Sequence, residues 1–161
     1  MIRRLLPSDF DCILRVVNDA AQAYKEVIPR DRWKEPYMPA SELKKEIEEG
    51  VEFYGWKENH KLVGVMGIQR VNDVTLIRHA YVNRNRQNRG IGEKLLKHLL
   101  YLARTSQILV GTWETADWAI HFYEKHGFTL VSKEEKDRLL RKYWKIPERQ
   151  TETSVVLRLQ K

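Results

Sequence analysis

The run Arg84-Asn85-Arg86-Gln87-Asn88-Arg89-Gly90-Ile91-Gly92 packs three guanidiniums, three side-chain amides and two glycines into nine residues. Those types suit one task above others, holding a phosphate. Glycine lets backbone approach an anion with no Cβ in the way. A helix start leaves N–H groups without intrahelical partners, and its dipole favours negative charge. The plain alternative is a tight turn with solvated arginines. Two familiar nucleotide patterns are excluded by spacing. No third glycine completes G-x-G-x-x-G after Gly90 and Gly92, and no G-x-x-x-x-G-K-[ST] occurs. Cys12 lies in an apolar helical pattern and reads as core rather than nucleophile.

The flanking segments decide whether the loop can work as a cradle. Before it, Thr75 to Val82 reads as a strand; after it, Glu93 to Leu102 reads as a helix. Ile91, Leu95, Leu99 and Leu102 share one helical stripe that must pack on a sheet. Upstream, Ile2–Leu6 suggests a strand, Pro7-Ser8-Asp9 a helix start, and Phe10 to Tyr24 a helix. Val27 to Pro39, broken by Pro29, Pro36 and Pro39, reads as a long loop carrying Trp33 and Tyr37. Ser41–Glu49 is a short helix closed by Gly50. Val51–Trp56, Leu62–Val71 and Val74–Val82 form a three-strand meander with polar turns. Downstream come a strand at Gln107–Thr112, a helix at Ala116–His126 capped by Thr115 and ended by Gly127, and a strand at Phe128–Val131. A charged amphipathic helix at Lys133–Lys145 precedes a final strand at Thr153–Leu159. The strand–helix–strand unit from residue 75 to 112 implies a parallel crossover beside an otherwise antiparallel sheet, a mixed α/β architecture with helices on both faces.

The 161 residues fit one domain, 1–161, large enough to bury about 70% of its unfolded surface without disulfide or metal. One cysteine excludes an internal disulfide and a cysteine-based metal cluster, and no metal site is expected. No apolar stretch approaches about 18 residues, and the first residues show no signal-like run, so a cytoplasmic protein without membrane association is expected. The net charge of +7 suits an anionic partner. Most charges alternate in sign along the chain, as on solvated helix faces; only Arg84 to Arg89 is basic with no acid between. Nucleic-acid binding is disfavoured, because the aromatics do not interleave with the basic loop and no helix carries one basic face.

The order of elements and two motifs resemble the GNAT superfamily of acyl-CoA-dependent N-acyltransferases. Its acyl-CoA signature, Gln/Arg-x-x-Gly-x-Gly/Ala, is matched by Gln87-Asn88-Arg89-Gly90-Ile91-Gly92. Its second hallmark, Phe-Tyr-Glu-Lys-x-Gly-Phe, is matched by Phe122-Tyr123-Glu124-Lys125-His126-Gly127-Phe128. The resemblance implies a mostly antiparallel central sheet with a splayed parallel pair, Thr75–Val82 and Gln107–Thr112, opening a cofactor cleft. It implies acetyl-CoA as co-substrate, with the pantetheine arm along Ala80 and Val82. The pyrophosphate would rest on N–H groups from Gln87, Asn88, Arg89, Gly90, Ile91 and Gly92, with charge from Arg84, Arg86 and Arg89. Two departures stand out. Where many members carry Asn at the start of the second motif's helix this chain has Ala116, so any cofactor contact of that Asn is absent, or replaced by Thr115 or Asp117. Where some place a basic Glu on the central strand it has Leu76.

The implied reaction is direct attack of a primary amine on the thioester. Backbone N–H near Ala80 would polarise the carbonyl. Tyr123 is the expected general acid, since a phenol near pKa ~10 can return a proton to a thiolate near ~8.5. His79 or Glu114 could take the ammonium proton, or ordered water could suffice. The acceptor pocket is expected between the Val27–Pro39 loop, the strand Phe53-Tyr54-Gly55-Trp56 and the Lys133–Gln150 insertion. There Asp31, Glu35 and Glu52 could hold a polyamine or a peptide amino terminus. The acceptor is thus a small amine or a peptide or protein amino group, and a homodimer is compatible. A non-catalytic acyl-CoA sensor on the same fold is the alternative.

Overall fold

In the computed structural model, which describes residues 1–161, seven strands form one sheet ordered β1-β2-β3-β4-β5-β7-β6. The strands are β1 (Ile2–Arg4), β2 (Glu52–Glu58), β3 (Lys61–Val71), β4 (Val74–Val82), β5 (Gln107–Trp113), β6 (Thr129–Leu130) and β7 (Ser154–Gln160). Every neighbouring pair is antiparallel except β4 and β5. The helices are α1 (Phe10–Ala21), α2 (Ala40–Glu48), α3 (Ile91–Leu102), α4 (Asp117–Lys125), α5 (Lys133–Tyr143) and α6 (Glu148–Glu152).

The apolar spacing dictates which face each helix buries. In α1, Ile13, Val16, Val17 and Ala20 fall on one stripe and are at most 2% exposed. Ile13, Val16 and Val17 pack with Leu43 of α2 and with Leu62 and Val65 of β3. The alternate β3 residues, Val63 and Met66, face the opposite side, against Ile91, Leu95, Leu96 and Leu99 of α3. Burying one such leucine contributes about 1.5–3 kcal/mol, so the wide apolar face of α3 anchors the loop before it. A third cluster seats α5, through Leu139, Leu140 and Tyr143, on Leu76, Leu109 and Val156. Leu76, the position where a basic carboxylate could have stood, is therefore dry core.

Some boundaries differ from the sequence reading. The meander and its polar turns form as expected, and Gly50 follows α2 at φ +108°, a conformation glycine adopts without a Cβ penalty. Thr115 does not cap α4. Its hydroxyl donates to the carbonyl of Val27 at 2.8 Å, and Ala116 occupies the N-cap position without a side-chain bond. Long-range tethering of the Val27–Pro39 loop thus prevails over local capping. The strand expected at Phe128–Val131 shrinks to Thr129–Leu130, while α6 forms unannounced: five residues carry too little periodicity to register.

Candidate functional site

The parallel pair parts company midway. β4 pairs with β5 only over Val74–Ile77 against Gln107–Val110. Beyond that point β4 follows β3 to Val82 and β5 follows β7 to Trp113. Arg78–Val82 and Gly111–Trp113 therefore present edges with no strand between them. A bulge sharpens the divergence. Val65 pairs with Tyr81 and Gly67 with Arg78, so His79 and Ala80 together oppose Met66. His79 lies at φ +54°, a sparsely populated conformation for a non-glycine residue, at the centre of the site.

Three adjoining spaces follow the gap. The first is a cleft of about 510 Å³ along Ala80, Tyr81 and Val82, reaching Gln87, Asn88, Gly90, Ile91 and Gly92 at one end and Phe122 and Tyr123 at its side. A narrow waist of about 130 Å³ shares Ala80, Tyr81 and Tyr123 with the cleft and continues past His79 and Trp113. The waist shares His79, Arg78, Tyr37 and Gln150 with a basin of about 600 Å³ on the far side. The three spaces adjoin one another at the splay through these shared walls.

At the cleft's end the loop is built as a cradle. The first α3 bond runs from Lys94 N–H to the Gly90 carbonyl at 3.1 Å, leaving the N–H groups of Ile91, Gly92 and Glu93 without intrahelical acceptors. Gly90 adopts φ +78°, and a Cβ there would meet nothing within 4 Å, so the space in front of it is open. The Gln87 side chain donates to the Val82 carbonyl at 3.2 Å and closes the loop onto β4. The arginines behave differently from one another. Arg84 pairs with Asp19 at 3.2 Å and Arg86 with Glu58 at 3.2 Å, so the loop is less purely cationic than its local sequence suggests. Arg86 lines the cleft, whereas Arg89 is exposed away from its walls.

Tyr123 is 5% exposed at the junction of cleft and waist. Its ring stacks edge-on against Phe122 and Phe128, with centroids 5.2 and 5.5 Å away. Burial, with a smaller contribution from Tyr24, pushes its phenol far above the ordinary tyrosine range. Tyr24, Tyr37 and Tyr81 line the waist too, and burial raises all three, Tyr24 to about 12. Tyr81 meets Tyr24 and Tyr37 edge-on at 6.0 and 6.5 Å. This aromatic wall was not foreseen, because single tyrosines in a strand, a helix end and a loop share no sequence signature.

His79 is held by a residue the sequence reading passed over. Its Nε2 lies 2.6 Å from Oε1 of Glu46, which also takes a 2.9 Å ion pair from Arg78. Burial alone would raise Glu46, but the His79 hydrogen bond and the His79 and Arg78 charges outweigh it, leaving the carboxyl below its usual range. In sequence, Glu46 is one of several charges on a short polar helix and reads as solvated; only the packing of α2 beside the bulge brings it in. Glu114 is exposed and lines none of the three spaces.

The segments expected to wall an acceptor pocket are brought together only in part. The Val27–Pro39 loop and the α5–α6 segment do enclose the basin. The Phe53–Trp56 strand does not: Phe53 is committed to the core under α1. Asp31, Glu35 and Glu52 are turned to other partners, Arg149, Trp33 Nε1 and Arg4. The acids of the basin are instead Glu42, Glu46 and Glu49. Neither Thr115 nor Asp117 lines the cleft; Trp118 does, against the Tyr24 ring at 4.9 Å. No cluster of three or more His, Cys, Asp or Glu side chains is placed to hold a metal ion, and no helix is long and apolar enough to cross a membrane.

The comparisons with known proteins agree with this geometry. The profile of the acetyltransferase (GNAT) family matches residues 14–128. Among solved structures, the PaiA N-acetyltransferase of Thermoplasma acidophilum, in complex with coenzyme A, superposes with a TM-score of 0.76 over 100% of this chain and 98% of its own, at 15% identity. A GNAT-family acetyltransferase of Staphylococcus aureus Mu50 gives 0.73 over 99% and 98%, at 19% identity. The ribosomal-protein-S18-alanine N-acetyltransferase of Escherichia coli gives 0.68 over 99% and 92%, at 17% identity. The match spans the splayed strands, the glycine loop and the Tyr123 helix alike: this chain belongs to the GNAT family of acetyltransferases.

Proposed function

We propose that residues 1–161 act as one N-acetyltransferase domain that moves an acetyl group from acetyl-CoA to a primary amine within a ternary complex. The observation that carries this is the splay of β4 from β5 and what lines it. The unladdered edge of β4, an N-terminal cradle at one end of the cleft and the Tyr123 phenol between cleft and waist line adjoining spaces.

The cleft fits the donor by shape and by chemistry. The free N–H groups at the start of α3, with Arg86 beside them, would hold the pyrophosphate. The Ala80 and Val82 backbone would pair with the amides of the pantetheine arm, and Phe122 offers an apolar flank. When bound, the donor supplies an activated thioester, the reactive group no side chain here provides. Around it the chain's own groups have separate tasks. The Ala80 N–H, turned by the bulge, donates to the carbonyl oxygen as charge develops there. The Tyr123 hydroxyl keeps its proton across the neutral range and gives it to the departing sulfur. His79 takes the proton that the ammonium must lose. Glu46, accepting Nε2–H, fixes the tautomer, leaves Nδ1 as acceptor and stabilises the imidazolium formed. The waist is narrow enough to admit the amine end of an acceptor while the basin holds the rest.

Thermal unfolding with and without acetyl-CoA tests the reading. At about 100 times Kd, ligand binding stabilises by roughly 2.7 kcal/mol, a Tm rise of roughly 5–10 °C at this size. That rise, followed by thiol release with an amine panel, is the expected result. A rise without release across the panel would support the acyl-CoA sensor instead, and no rise would remove the donor.

A further inference from the structure

The basin beyond the waist is charged in a way that selects its occupant. Six basic residues, Arg32, Lys34, Lys45, Arg70, Arg78 and Lys145, and three acidic ones, Glu42, Glu46 and Glu49, line it. Every acid is already engaged from within the wall. Glu42 takes Lys34 at 2.9 Å, Glu49 takes Lys45 at 3.9 Å, and Glu46 takes Arg78 and His79. Arg32, Arg70 and Lys145 have no acidic partner. They come from three separate elements, the Val27–Pro39 loop, the end of β3 and the α5–α6 connection, and converge on one space.

Arg32 carries a second signal. Its Nη2 donates to Oε1 of Gln150 at 3.4 Å, but its Nε is enclosed and has no hydrogen-bond partner. Its Nη1 makes no hydrogen bond to the protein, so this end of the guanidinium keeps donors free for an acceptor. Arg70 spends only its Nε, on the Asn72 carbonyl at 3.3 Å. A guanidinium fork with free donors is matched by a carboxylate or phosphate. The basin's size, about 600 Å³, lies within the roughly 300–1,000 Å³ typical of small-molecule sites.

We infer that the acceptor is a small amine bearing an anionic group, a carboxylate or phosphate, at the end remote from its reacting nitrogen. The anion lies against Arg32, Arg70 and Lys145, and the amine points into the waist toward His79. A polyamine is the wrong occupant, since its distal ammonium would meet three uncompensated cations. The inference rests on the acetyl-transfer reading for the role of the basin, but the basin's ligand class can be measured without turnover.

The test is calorimetric binding of O-phosphoethanolamine, β-alanine, ethanolamine and putrescine to the full chain saturated with coenzyme A, paired with thiol-release assays of the same amines with acetyl-CoA. The two anionic amines should bind about tenfold or more tighter than ethanolamine, with putrescine weakest. Their affinity should fall as salt rises. Arg32→Gln combined with Arg70→Gln should erase the preference while the coenzyme A thermal shift persists. Lys145→Gln, at an exposed position, should weaken it alone. Putrescine or ethanolamine binding as tightly as the anionic amines, or a preference that survives all three substitutions, overturns the inference. Anion-dependent binding with no thiol release overturns the acetyl-transfer reading and upholds the basin's ligand class. Turnover of putrescine as efficient as that of the anionic amines overturns the ligand class and upholds acetyl transfer.

Discussion

Replacing Tyr123 by Phe separates chemistry from architecture at the most informative position. The ring is 5% exposed and wedged between Phe122 and Phe128, and phenylalanine keeps all of that packing. The hydroxyl contributes little to the fold. Its phenol is raised by desolvation and by Tyr24, with no hydrogen bond holding it. Removing a hydroxyl that makes no hydrogen bond to the protein changes stability by at most about 1 kcal/mol, so Tm should stay within about 2–4 °C of the original. The catalytic consequence is of another order. Loss of a positioned general acid costs about 10²–10⁴ in rate, or about 2.7–5.4 kcal/mol of transition-state stabilisation. Stopped-flow or steady-state thiol release should therefore show kcat reduced by that factor. The acetyl-CoA thermal shift should match that of the unchanged chain, because the cradle at Gln87–Gly92 is untouched. A kcat within about threefold of the original would refute the role of the phenol as acid. A loss of several kcal/mol of stability would instead refute the claim that the hydroxyl is structurally idle.

Other outcomes follow from the same geometry. His79→Ala should lower kcat by about 10²–10⁴ with the donor shift intact, whereas Glu114→Gln should leave the pH–rate profile unchanged; if His79→Ala also leaves it unchanged, water is the base. Glu46 is held below its ordinary value of 4.5, so its pairing stabilises the fold above that pH and is lost as pH falls through the folded value; denaturant midpoints across acidic pH should fall in the original chain and flatten in Glu46→Gln. Tyr24, Tyr37, Tyr81 and Tyr123 are all raised, so their contribution is complete below about pH 10 and fades above it. Unfolding followed by phenolate absorbance should steepen there, by at most about 1.4 kcal/mol per pH unit for each phenol. Gly90→Ala should cost about 1–2 kcal/mol for the left-handed backbone and place a methyl in the open space of the cradle; a donor shift as large as the original's would show that this space is not used.

Much of this protein is written locally. The stripe Ile91, Leu95, Leu99 predicts α3 and its buried face, the Asn72-Asp73 turn predicts the β3–β4 hairpin, and Gly90 with Gly92 marks the cradle, because these features depend on neighbours a few residues away. The Phe122–Phe128 run is equally legible and puts Tyr123 on α4. What tertiary structure alone decides is which distant groups meet. The bulge at His79 and Ala80 falls where β4 still follows β3 after leaving β5, a juxtaposition no window of residues contains. Glu46 reaches His79 across 33 positions, and Thr115 is drawn from its capping role by Val27 across 88. The charge of the basin is decided in the same way. Asp31, Glu35 and Glu52 resemble acceptor acids in sequence, yet Arg149, Trp33 and Arg4 take them. Arg32, Arg70 and Lys145 look like scattered surface cations until folding sets them around one space without acidic partners. Sequence specifies the elements because helix and strand periodicity are short-range; the site's charge balance is a sum over pairings, and pairings exist only once the chain has closed on itself.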